Sequence, residues 1–126
     1  MSVSIASLNP NLLLEPGPTT CYSDFAGTTG ANVSDTVRRI SNSGTLGAFM
    51  GLNGNGPTLV RTNGRYGLSF NGASSNRLEA EFVRFPTIGQ PYTIAVAYTC
   101  AASTKGALFK SGQTGEGIGL GVGTIG

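Results

Sequence analysis

From Pro57 to Gly123 apolar residues recur at every second position, in short runs cut apart by glycine. The runs read PTLVR, RYGLSFNG, NRLEAEF, YTIAVAYT, GALFKSG and GIGLGVG. A period of two belongs to the half-buried antiparallel strand, which packs one face and wets the other. The pattern predicts an all-β chain built as an antiparallel β-sandwich. In the longest run Tyr92, Ile94, Val96 and Tyr98 share one face, and Thr93, Ala95, Ala97 and Thr99 share the other. Large residues on one side and small ones on the other predict a central strand covered on both faces. In the last run Ile118, Leu120 and Val122 alternate with bare glycines. A tight sheet bend explains that best, and close approach of another backbone or a ligand is the alternative.

Composition supports the same class. Twenty glycines in 126 residues favour turns over helix interiors. Charged residues make up 11% of the chain, well under the roughly 25% of ordinary soluble domains. Surface polarity must then come from Ser, Thr, Asn and Gln, which suits lattice or glycan contacts. The net charge of +2 is scattered over Arg38, Arg39, Arg61, Arg65, Arg77, Arg84, Lys105 and Lys110. The doublet Arg38-Arg39 reads as a solvated turn. Nucleic-acid binders concentrate such charge on one element, so no nucleic-acid partner is expected.

Histidine is absent, which removes both a Ser/His/Asp triad and a Cys/His zinc site within one chain. Cys21 and Cys100 each adjoin strand-like residues and read as free, buried thiols; a disulfide would need their Cα atoms within about 7 Å. Residues 1–20 lack the basic region and apolar run of a secretory signal. No stretch is long and apolar enough to span a bilayer, so no membrane insertion is expected.

The chain divides into an extended arm over residues 1–20 and a sandwich over 21–126. Asn9-Pro10, Pro16, Gly17 and Pro18 deny the arm regular structure. Its short apolar patch, Leu12, Leu13 and Leu14, would lie in a groove of its own domain or reach a partner. Thr20 to Tyr22 opens the first strand. Residues 26–55 are loop-rich, with turns at Gly27-Thr28-Thr29-Gly30, Asn42-Ser43-Gly44 and Asn53-Gly54-Asn55-Gly56. Within them Val33, Val37 and Ile40 stand at helical spacing, and a short helix or a strand fits equally.

The order of Arg65-Tyr66-Gly67-Leu68-Ser69-Phe70-Asn71-Gly72, Tyr92 to Tyr98, Gly106 to Gly112 and the glycine-alternating strand from Gly117 resembles the concanavalin A-like lectin/glucanase superfamily. Within it the laminin-G-like jelly-roll modules are most similar, over roughly residues 21–126. Two positions depart from the family pattern: Ala97-Tyr98 stands for the usual Trp, and Asn71 for a turn Asp. The resemblance implies a jelly-roll sandwich that is incomplete within residues 1–126, finished either by further sequence or by a partner chain. An unfinished sheet exposes edge groups that a neighbour can pair by strand addition.

The superfamily includes glycosidases, which need two carboxyl groups at about 5 to 5.5 Å or about 6.5 to 9.5 Å. Glu79 and Glu81, two apart on one strand, would share a face at roughly 7 Å. No third acid follows them, and Arg77 on that face points to a solvated stripe, so no catalytic residues are assigned. Many laminin-G-like modules use calcium; Asp24 and Asp35 flank a polar loop and are the candidates for Ca2+, but no cofactor is assigned. Candidates for glycan contact by residue type are Tyr22, Asn53, Asn55, Asn63 and Gln113, with Tyr66 and Asn76. The reading that follows is a non-enzymatic structural or adhesive module at a virion or extracellular surface. A phage decoration or appendage component, working through protein–protein contacts with neighbouring subunits, leads; a carbohydrate-binding lectin-like module is the alternative.

Overall fold

A computed structural model describes residues 5–45, 47–51, 55–73, 75–79, 91, 93–99, 106–111 and 118–122. They fall in two compact units, Met1–Phe82 and Val83–Gly126. The regular structure is short antiparallel strands and one 3-10 turn at Ile5–Leu8, so the all-β class holds. Among the described residues no helix is long and apolar enough to cross a membrane.

In the first unit β1 (Cys21–Tyr22), β2 (Arg39–Ile40), β3 (Phe49–Gly51) and β6 (Leu78–Glu79) form a four-stranded sheet in the order β1-β2-β3-β6. Cys21 lies opposite Ile40, Ile40 opposite Phe49, and Gly51 opposite Leu78. The strands β4 (Thr58–Thr62) and β5 (Arg65–Ser69) make a hairpin with Leu59 opposite Leu68. Asn63 and Gly64 close it at φ 50° and 79°. Two left-handed residues in a two-residue loop match the twist of the flanking strands, and Asn-Gly adopts that pair at least cost.

The buried core is Cys21, Ala31, Val37, Ile40 and Leu59. Leu14, Phe49, Tyr66, Leu68 and Leu78 pack around it. Alternation works here as the period of two requires: Leu59 is fully buried between half-buried Thr58 and Val60. Cys21 is a free thiol in this core, and burial pushes its pKa up. Cys100 lies outside the described residues.

Residues 33–40 resolve as a turn at Val33–Ser34, a bridge at Thr36 and the strand β2, not as helix. Ser34 sits at φ 80°, which stops a right-handed turn. The segment is laced to β4 instead: Ser34 N–H donates to Leu59 O (2.8 Å), Leu59 N–H to Asp35 O (3.0 Å) and Val37 N–H to Pro57 O (2.7 Å). Val37 and Ile40 point into the core, while Val33 is 48% exposed. The contact is close at Gly56, where a Cβ would lie 1.7 Å from the Val37 carbonyl oxygen. Only glycine fits there.

The arm folds back on its own unit. Asn42 Oδ1 accepts from the N–H groups of Leu13 (2.7 Å) and Gly44 (2.8 Å), and its Nδ2 donates to Asn11 O (2.9 Å). Ser43 N–H donates to Leu13 O at 2.9 Å. Leu12, Leu13 and Leu14 are each half-buried.

In the second unit β7 (Gly106–Ser111) pairs antiparallel with β8 (Ile118–Val122). The register shifts between Ala107 and Phe109, leaving Leu108 as the extra residue of a bulge. The expected central strand over 92–99 is not found: residues 93–99 carry no strand, and Val96 and Tyr98 are 43% and 53% exposed. Alternation gives a segment two faces, but a strand exists only where a partner takes its N–H and C=O groups. Among the described residues none pairs with 93–99.

Candidate functional site

Beyond β5 the chain turns a sharp corner before β6, and asparagine amides build it. Asn71 Oδ1 accepts from Ala73 N–H (2.9 Å), and Asn76 N–H donates to Ala73 O (2.9 Å). The Asn76 side chain then spans the corner. Its Oδ1 accepts from Asn71 N–H (2.8 Å), and its Nδ2 donates to the carbonyls of Asn55 (3.1 Å) and Gly56 (2.8 Å). One amide thus ties the exit of β5 to the entry of β4.

Between these two stretches lies an open recess of about 270 Å³. Thr36 and Thr58, themselves joined as an isolated β-bridge, form one side. Asn55, Asn71, Ser75 and Asn76 form the rest over the Gly56 backbone. Among the described residues no charged or aromatic side chain lines it. Among the described residues nothing hydrogen-bonds the hydroxyls of Thr36 and Thr58 or the Asn55 amide. Hydroxyls and amides both donate and accept, so the recess offers paired hydrogen bonds to a neutral polar ligand.

Of the residues expected at a glycan site, Asn55 and Asn76 meet here. Asn63 is spent on the hairpin turn. Tyr22 is half-buried in β1 and its hydroxyl donates to Thr19 O at 3.3 Å. Tyr66 packs on the core with the Arg61 guanidinium 5.3 Å from its ring centre. Asn53 and Gln113 lie outside the described residues. Thr36, Thr58 and Ser75 had no signal of their own, because the recess is assembled from three separated stretches. Asn71 and Asn76, five apart around a Gly-Ala-Ser-Ser run, were the legible sign of an Asx-type corner.

Asp24 and Asp35 each accept hydrogen bonds from their own turns. The Asp24 carboxylate accepts from the N–H groups of Gly27 (2.7 Å), Thr28 (3.1 Å) and Thr29 (2.5 Å), and from the Thr28 hydroxyl. These bonds, the Thr28 N–H foremost, lower its pKa from 3.8 to about 2. Asp35 Oδ2 accepts from Asn32 N–H at 2.8 Å. Each aspartate therefore braces its own turn, and among the described residues no three acidic or thiol groups converge as metal ligands. Glu79 is ion-paired with Arg77, both about half exposed. Glu81 lies outside the described residues.

The Arg38-Arg39 doublet differs from the solvated turn expected of it. Arg39 donates to the carbonyls of Phe25 (3.2 Å) and Ala26 (3.3 Å), and Arg38 lies 5.5 Å from the centre of the Phe25 ring. Both cations hold the loop 23–29 from β2 or beside it.

No protein-family model, curated protein or solved structure matches this chain.

Proposed function

We propose that the chain is a non-enzymatic contact module, which recognises another molecule without transforming it. The observation that carries this reading is the uncharged recess at the β5–β6 corner, lined by amides and hydroxyls. Such a lining suits the hydroxyls of a carbohydrate, so the best-supported setting is a lectin-like module of a surface protein. The architecture that goes with it is the laminin-G-like jelly-roll sandwich. What supports it is the β4–β5 hairpin, with Leu59 and Leu68 alternating toward the core. A glycan array incubated with the full chain tests the reading. Retention on neutral glycans with no release of sugar is expected; no retention, or hydrolysis, would sink it.

A second reading is a structural or adhesive subunit of a repetitive assembly, a phage virion decoration or appendage above all. It draws on large apolar side chains left outside a weakly charged surface: Phe25, Val33 and Phe70 are 42%, 48% and 51% exposed. Residues 11–20 engage their own unit, so in this reading contact falls to those faces and not to Leu12, Leu13 and Leu14. Sedimentation velocity across a concentration series separates the cases. Self-association lost in Phe70→Ser supports assembly, and a monomer at every concentration removes it.

A further inference from the structure

Three features compete as a site. The loop 23–29 spends the Asp24 oxygens and Arg39 Nη1 on its own backbone, and the Arg39 Nε it leaves unpaired is buried, so it offers a ligand little. The outer edge of β5, unpaired among the described residues, carries nothing that says what would cover it. The recess differs from both, because it keeps hydrogen-bonding groups in hand.

We infer that this recess seats one uncharged sugar ring, held by the Thr36 and Thr58 hydroxyls and the Asn55 amide without a metal ion. The inference rests on the lectin-like reading and makes it specific. Its volume, about 270 Å³, lies just under the roughly 300–1,000 Å³ of pockets that enclose drug-sized ligands. A single ring fits that space, and further sugars would trail into solvent. The two threonines are partners in an antiparallel β-bridge and both line the recess, which puts their Cβ atoms about 4.5–5.5 Å apart on one face, a spacing suited to neighbouring ring hydroxyls.

Charge sets the selectivity. Among the described residues no cation lines the recess, and Arg77, next in the chain to Asn76, is ion-paired with Glu79. A carboxylated sugar would set its charge against neutral amides and hydroxyls with no cation to pair it, which is costly. Asn76 is the positioning residue: its amide is wholly spent on Asn71, Asn55 and Gly56 and fixes the distance between the two walls.

The test is titration of the full chain with neutral hexoses, N-acetylhexosamines, glucuronate and sialic acid in EDTA, followed by NMR of the asparagine side-chain amides. One ring with a few hydrogen bonds gives a Kd on the order of millimolar. The expected result is saturable movement of the Asn55 and Asn71 amide signals with a neutral sugar, and at least tenfold weaker binding of the acids. Thr36→Val and Thr58→Val, which keep shape and drop a hydroxyl, should each weaken binding about fivefold with the melting temperature unchanged. Neutral binding that neither variant moves, or that needs calcium, overturns this site while leaving the lectin-like reading standing. No response to any sugar here and none on the array overturns both.

Discussion

Two polar loops of the first unit are built from the same few residue types and end in opposite states. In the loop 23–29 the strong groups are largely consumed inside: the Asp24 carboxylate takes three backbone donors, and Arg39 Nη1 donates to two carbonyls while its buried Nε has no partner among the described residues. At the corner 71–76 a single amide, Asn76, does the bracing, and the threonines across from it stay uncommitted. A charged brace satisfies many neighbours and closes a loop. A neutral brace with three bonds holds two walls apart and leaves a space between them. Where a chain poor in charge can meet a ligand is decided by which polar groups its own folding leaves over.

The largest expected effect breaks the corner at its floor. Gly56→Ala would set a Cβ 1.7 Å from the Val37 oxygen, and the backbone must move. Overpacking of that kind costs about 3 kcal/mol, read as a lower urea midpoint with unchanged slope. Removing the brace comes next. Asn76→Ala leaves the Asn55 and Gly56 carbonyls and the Asn71 N–H without their partner. A loss of about 2 kcal/mol is expected, with hydrogen exchange at Asn71 accelerated and that at Thr29 unmoved. A stability loss spread evenly over both loops would erase the distinction between them.

Acid sharpens the comparison from the other side. Asp24 has its folded pKa lowered to about 2 from 3.8, so its contribution is fully present above 3.8 and fades as pH falls toward 2. The amides of Gly27, Thr28 and Thr29 should lose protection across that window while Asn71 keeps its own. Asp24→Asn should lose the pH dependence altogether. The smallest effect on stability is expected for Thr58→Val, within about 0.5 kcal/mol. Its consequence would appear in ligand binding and hardly at all in the melting curve.

Much of the first unit was legible from local pattern. PTLVR and RYGLSFNG became β4 and β5, and Cys21-Tyr22 opened the first strand, because alternation and turn residues act over a few positions. The same signal gave no strand at the described residues 93–99, since periodicity describes faces and says nothing of a partner strand. The site was legible only in part. Asn55 and Asn76 could be named by type, but Thr36 and Thr58 became neighbours through a bridge that no spacing announces.

By itself the amino-acid order determined the all-β class, the turns and the shortage of charge, all of which depend on local conformational preference and composition. Tertiary structure alone decided that the arm lies along its own body, that Gly56 meets Val37, and that Asn76 props open an uncharged recess. Those outcomes come from long-range backbone contacts, and the chemistry of one residue type carries no record of which distant carbonyl it will meet.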